Sequence, residues 1–288
     1  MMVKIMRFLP ALRIHSWGGL GSQLFTAYLI LKIKERFTGR RIKVILHSSG
    51  LTYRVPEFDF DKLGVRTVFV DDYKEENPES KSEQTPEFLN NKIRKIITKF
   101  GLPMLRRMNL ILNLDSKGSF TSVKFFTLTL RGHYTRLDIE KKYVESLYNL
   151  ISEETYNSIA RQFDLTIHYR LGDLLTLSQK SPIHFKRLEK LIDTYKIDSL
   201  KTIVLTDSQA LDYQDFFQGS EFFSVLSPTN VGAAHALNIC IHSKFFIGTG
   251  AKLSLWASIF RSVLFNRNSY LPIELIWIKD NKLSITWY

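Results

Sequence analysis

Three short stretches of the sequence carry residue types that can hold an anion or move a proton. In His168-Tyr169-Arg170-Leu171-Gly172-Asp173, a fixed cation stands just past an apolar run, with a glycine and an acid close behind. Arg170 could grip a diphosphate with both arms of its guanidinium fork, and Asp173 could orient it or accept a proton. A surface Arg–Asp pair on a turn is the competing reading. Thr249-Gly250-Ala251-Lys252-Leu253-Ser254 offers hydroxyls, a glycine and a lysine where a helix should begin. An anion site fits there, and so does an ordinary N-cap. Trp17-Gly18-Gly19-Leu20-Gly21-Ser22-Gln23 lets backbone approach a ligand closely, through Gly19 and Gly21 above all. Ser22 and Gln23 add side chains able to bond a sugar or phosphate, although a tight strand-to-helix turn explains the glycines equally well. The stretch has neither the G-x-G-x-x-G spacing of a dinucleotide site nor the Lys-Ser/Thr of a phosphate loop.

Other chemistries lack their residues. Cys240 is the single cysteine, which excludes an internal disulfide framework and a cysteine-based zinc site. Asp59-Phe60-Asp61 has the D-x-D form of a metal ligand pair, but Phe58 and Phe60 suit a packed turn as well. The seven histidines show no H-E-x-x-H, and no G-x-S-x-G anchors a hydrolase triad. No metal is therefore expected.

The elements that position these turns are legible as an α/β series. Leu12–His15 predicts a strand and Leu24–Phe37 a helix with a broad apolar face. Ile42–Leu46 predicts a buried strand, and Thr67–Val70 another. Residues 71–85 hold six acids, two lysines and one proline without apolar period, and predict a solvated loop. Thr85-Pro86 predicts a helix start. Phe125–Leu130 predicts a strand, Asp138–Ser152 a polar helix. A second series follows, with strands at Leu165–His168, Thr202–Leu205 and Phe245–Gly248 and a helix from Leu253 to Phe260. Each strand ends in polar or glycine residues, where open α/β sheets place their ligand crevice. The 288 residues are thus expected to form two domains, 1–140 and 150–288.

With 40 Lys+Arg against 28 Asp+Glu, the chain carries a formal charge of +12, which favours an anionic partner. Its basic density is concentrated in Lys92, Arg94, Lys95, Lys99, Arg106 and Arg107, interleaved with Phe88, Ile93, Ile96, Ile97 and Leu105. This suits a helix facing a membrane or an acceptor, or a solvated face, better than a nucleic-acid surface. Lys4 and Arg7 interrupt the apolar start, so a signal peptide is not expected. A transmembrane helix is not expected either.

Taken together, the turns resemble a known family. Gly18-Gly19-Leu20-Gly21-Ser22-Gln23-Leu24-Phe25 resembles the GGLGNQ-(L/M)-F opening of the bacterial α-1,2-fucosyltransferases (glycosyltransferase family 11), with Ser22 in place of Asn. Gly132-His133-Tyr134 resembles their G-Y-(F/W)-Q segment. His168–Asp173 is similar to their H-x-R-R-G-D, with Leu171 in place of the second Arg. Thr206-Asp207-Ser208 approximates their S-D-D/E-D, and Ser254-Leu255-Trp256-Ala257 their S-W-W-A. Order and spacing agree over nearly the whole chain.

The resemblance implies a GT-B architecture, with two Rossmann-like domains facing across a cleft, the first on the acceptor side and the second binding the nucleotide sugar. It implies metal-independent transfer of fucose from GDP-fucose, with inversion, to a hydroxyl of a glycan or lipid-linked oligosaccharide acceptor, in cell-surface polysaccharide or lipopolysaccharide synthesis. GDP-fucose is a substrate, so no cofactor is expected. The chain is expected in the cytoplasm, with room for peripheral contact at an anionic inner membrane face and without nucleic acid as a partner.

In such a reaction, protein cations and backbone donors must stabilise the leaving diphosphate. Arg170 is the expected diphosphate ligand, assisted by Thr249, Lys252 and Ser254, with His168 in the same turn and Asp207 accepting from guanine or ribose. Asp173 and His15 are the candidate bases for the acceptor hydroxyl. Two alternatives stand beside this reading: a different sugar nucleotide, or a binding protein on the same scaffold that has lost transfer, which Leu171 favours.

Overall fold

A computed structural model describes residues 9–49, 53–72, 102–114, 120–135, 138–151, 163–170, 183–197, 201–206, 224–226, 232–273 and 283–288. The chain divides into two compact units. The first comprises Met1–Gly19 and Phe25–Leu137, and the second Leu20–Leu24 and Asp138–Tyr288.

In the first unit, β1 (Leu12–Trp17) buries Leu12, Ile14 and Ser16 and turns Arg13, His15 and Trp17 to a more open face. Gly18 follows at φ 91°, a conformation that a side chain would strain. Helix α1 (Leu20–Arg36) starts there, and its residues 23–30 are buried without interruption. A helix buried all round belongs inside its domain rather than on its surface, a wider enclosure than one apolar face predicts. Ser16 Oγ and Thr26 Oγ1, 2.8 Å apart, tie strand to helix.

The strand β2 (Ile42–His47) alternates between buried and half-buried positions instead of being wholly buried as expected, because only one face of the sheet is closed over it. β3 (Arg66–Val70), α2 (Leu102–Arg107), β4 (Ile111–Asn113) and β5 (Thr129–Arg131) complete the described strands and α-helices of this unit. The expected strand from Phe125 begins only at Thr129. Phe125 is exposed, and Thr127 closes a turn with its N–H on Lys124 O and its hydroxyl on Asn109 O. All pairings are parallel, in the order β3-β2-β1-β5-β4.

The second unit holds α3 (Lys141–Ile151), β6 (Leu165–Tyr169), α4 (Phe185–Thr194), β7 (Thr202–Thr206), β8 (Ser224–Leu226), α5 (Ala233–His242), β9 (Phe245–Gly248), α6 (Lys252–Phe265), β10 (Ser269–Leu271) and β11 (Ile285–Trp287). Every residue of β6 and β7 is buried, as parallel strands covered on both faces require. On α4, Phe185, Leu188 and Leu191 fall on one stripe and pack with Leu165, Ile167, Val204 and Ile247 of the sheet. The parallel order β11-β10-β9-β6-β7-β8, counted within the unit, is 6-5-4-1-2-3. This is the Rossmann order read from its other edge, with its switch point between β6 and β9. The protein is therefore an α/β chain of two Rossmann-like units.

Helix α6 runs on to Phe265, past its expected end at Phe260, because Arg261 does not end the buried stretch but joins it. Its guanidinium is fully buried and donates to the carbonyls of Cys240, Ile241, Ser243, Lys244 and Asn268 at 2.7–3.4 Å. Burial, with Arg267 nearby, lowers its pKa to about 10. Among the described residues, no helix is long and apolar enough to cross a membrane.

Candidate functional site

The carboxyl ends of β6 and β9 meet at the switch point of the second unit, His168 lying in register with Gly248. Beyond that pair the two chains bond to one another. Thr249 directs its N–H and its hydroxyl to His168 O, both at 3.0 Å, and accepts from Arg170 N at 2.8 Å. Arg170 Nη1 donates to Gly250 O at 2.7 Å, which lays the guanidinium along the turn that opens α6. Among the described residues, a Cβ on Gly250 would meet nothing within 4 Å. Helix α6 begins at Ala251 with no side-chain cap and no acid in its first turn. Its first N–H groups thus form a positive helix end beside a fixed cation.

Below the turn, His168 Nδ1 and Ser254 Oγ lie 2.7 Å apart, both buried, and Gly248 is a glycine because a Cβ there would come within 2.5 Å of Ser254 Cβ. The first turn of α1 belongs to this unit and packs on the start of α6. Lys252 Nζ donates to Ser22 Oγ at 3.0 Å. A Cβ on Gly21 would come within 2.6 Å of Leu253 N, so this approach of backbone to backbone requires glycine. Like α6, α1 starts without side-chain cap or acid.

A second cluster occupies the half-open face of the first unit. His15 on β1 is in register with Ile45, which leaves His47, two residues further along β2, diagonal to it on the same face. His15 Nδ1 and His47 Nε2 are 2.9 Å apart, and His47 Nδ1 lies 2.7 Å from Asp72 Oδ2, just past β3. The rings of Trp17 and His47 stack at 4.5 Å, with the Arg131 guanidinium 5.5 Å from the Trp17 ring centre. Tyr134 donates its hydroxyl to His15 O at 2.6 Å. Burial, then the charges of His47, Arg131 and Arg13, lower the His15 pKa to about 4. Burial alone would raise the Asp72 carboxyl, but its hydrogen bonds from His47 and Ser49 outweigh that and hold it below the usual range.

The expected site residues thus fall into three groups. His168, Arg170, Thr249, Lys252, Ser254 and Gly21 come together at one switch point. Of these, His168, Thr249 and Ser254 are buried with their polar atoms bonded within the turn, which makes them its supports, while Arg170 and Lys252 are partly accessible. Gln23 is buried inside α1, and Gly19 lies near Glu57 and Arg54 of the first unit. Asp173 and Asp207, with Leu171, lie outside the described residues, as do Lys92, Arg94, Lys95 and Lys99 of the basic segment.

Asp59 caps a short 3-10 turn, accepting from Asp61 N at 3.0 Å. Among the described residues, no group of three His, Cys, Asp or Glu is placed to hold a metal. Sequence reading missed His47 and Asp72, the latter having been assigned to a solvated loop. The available signal was a polar residue at the carboxyl end of each of three successive strands.

No family model matches the chain, and no curated protein does. Solved structures resemble it at low identity. The NodZ alpha-1,6-fucosyltransferase soaked with GDP-fucose is 11% identical over 87% of this chain and 92% of that one, with a TM-score of 0.44. The E. coli ADP-heptose lps heptosyltransferase II is 11% identical over 96% and 90%, at 0.44. A putative UDP-N-acetylglucosamine 2-epimerase from Listeria monocytogenes is 9% identical over 91% and 79%, at 0.40.

Proposed function

We propose that the chain is a glycosyltransferase that takes the diphosphate of a nucleotide sugar at the carboxyl ends of β6 and β9. The observation that carries this reading is the turn itself. Arg170 is bonded at N–H and side chain across the switch point of a Rossmann-ordered sheet, beside the uncapped start of α6. Breaking the bond between sugar C1 and the diphosphate leaves negative charge on the leaving oxygen. A fixed guanidinium, Lys252 and helix N–H groups stabilise that charge without reorganisation. The motifs quoted above support fucose from GDP-fucose as the transferred sugar, with inversion at C1, and a glycan or lipid-linked hydroxyl of a cell-surface polysaccharide as acceptor. His15 is the candidate base of that step; its lowered pKa keeps it unprotonated at physiological pH and makes it a weak one.

Incubation with GDP-fucose and measurement of GDP release, with excess EDTA present, tests donor and metal independence together. Slow release favours the reading. Tight GDP binding without release favours the non-catalytic alternative, to which Leu171 points, and preference for another sugar nucleotide would correct the donor. Peripheral membrane contact is part of the same proposal. Arg106 and Arg107 on α2 are exposed with Met104 and Met108, a pairing of cations and apolar side chains that suits an anionic surface. Co-sedimentation with anionic liposomes that fades as salt rises is the expected result.

A further inference from the structure

Independently of the transferase reading, we infer that the half-open sheet face of the first unit carries a phosphate site of its own. There Arg13, Lys43 and Arg66 hold a diphosphate group. In the parallel register of β1, β2 and β3, Arg13 pairs with Lys43 and Lys43 with Arg66. In-register neighbours point to the same face, so the three cations form one row across adjacent strands, about 4.8 Å apart at the backbone. Arg13 and Arg66 are exposed and Lys43 is half-buried. Arg41, just before β2, adds a fourth exposed cation at this end, with its Nη2 on Leu9 O. Among the described residues, none of the four meets a carboxylate. The row lies near the amino ends of the strands, whereas the ligand crevice of an open α/β sheet lies at their carboxyl ends.

Like charges directly opposite one another weaken a sheet, and lysine is depleted in strands. Cations on an edge strand guard against edge-to-edge pairing, which accounts for Arg66 on β3. That does not account for Arg13 and Lys43, because β1 and β2 are interior strands of the order β3-β2-β1-β5-β4. An anion bound across the row turns the repulsion into attraction. Three cations along about 10 Å exceed what one carboxylate neutralises, and they match two linked phosphoryl groups. The two guanidiniums supply planar forks for bidentate contact, and Lys43 a point charge between them. A lipid surface fits less well. The exposed Phe69 of β3 alternates to the face opposite Arg66, so no large exposed apolar side chain of these strands stands in the row.

Titration calorimetry with inorganic pyrophosphate tests the site, in Arg170→Ala so that the turn of the second unit does not contribute. Saturable binding of one pyrophosphate per chain is expected, weakened about tenfold or more by Arg13→Gln and by Arg66→Gln. Arg66→Lys should recover only part of the loss, since the fork is gone. The melting midpoint separates binding from a structural role. Without ligand, each Gln variant should melt at or above its parent, because repulsion is relieved, and pyrophosphate should then raise its midpoint less. A lower midpoint in both Gln variants without ligand would make the row structural and overturn the proposal. So would equal affinity in the Gln variants and their parent, or sulfate bound as tightly as pyrophosphate. Binding to phosphatidylglycerol vesicles without binding to pyrophosphate also overturns it, and assigns the row to a membrane surface. None of these readouts uses GDP-fucose, so failure of the donor reading leaves them unaffected, and their failure leaves the donor reading intact.

Discussion

Ser254 Oγ and His168 Nδ1 share a hydrogen bond of 2.7 Å across 86 residues of sequence, locking the first turn of α6 to the end of β6. Ser254→Ala leaves a buried imidazole nitrogen without its partner, which costs about 1–3 kcal/mol. Urea titration should register that loss, whereas Ser258→Ala gives up only an intrahelical bond to Ser254 O and should cost less.

Arg170 stands two residues past His168, with its guanidinium on Gly250 O. In GDP release from the donor, Arg170→Ala should lose about 2–4 kcal/mol of transition-state stabilisation, read as kcat/KM. Arg170→Lys should recover little of it, because an ammonium lacks the planar fork. Near-normal turnover in Arg170→Ala would remove the diphosphate assignment.

Gly21→Ala places a methyl 2.6 Å from Leu253 N and 2.7 Å from the carbonyl carbon of Lys252, both backbone atoms that cannot swing aside. The start of α6 must shift, at about 1–3 kcal/mol of stability, with weaker GDP binding as the companion effect. Gly19→Ala meets Glu57 Oε2 at 3.0 Å, the mobile end of a side chain, and should be milder. Equal melting midpoints for the two variants would contradict the close approach.

Much of this was legible in the sequence, for local reasons. The glycines between β1 and α1, and the Thr-Gly-Ala-Lys stretch before α6, mark strand-to-helix turns by residue type alone. The His15–His47–Asp72 chain was not legible, because its members are 32 and 25 residues apart and meet only through the parallel register of β1, β2 and β3. The far half of α6 was hidden for another reason. An arginine inside an apolar run reads as a solvated residue, and only the carbonyls gathered around Arg261 show otherwise.

Acid should weaken the fold through His15. Its pKa falls from 6.5 to about 4 on folding, so between those values the unfolded chain binds the extra proton. The stabilisation is complete above about pH 6.5 and is lost as pH falls through about 4; the lowered Asp72 pKa adds a loss of the same sign at lower pH. Stability of the wild type measured against pH should therefore slope downward on acidification through this window. The slope should be shallower in His15→Gln, and parallel curves would show that His15 does not titrate there.

Arg261 binds the end of α5, the entry to β9 and the approach to β10 through a single buried side chain that meets no carboxylate among the described residues. Such a cation cannot leave its carbonyls one at a time, since each partly opened arrangement strands a charge away from water. The end of α5, the entry to β9 and the approach to β10 consequently form one cooperative block whose amides exchange their hydrogens together, at a rate set by a shared opening rather than by local fraying.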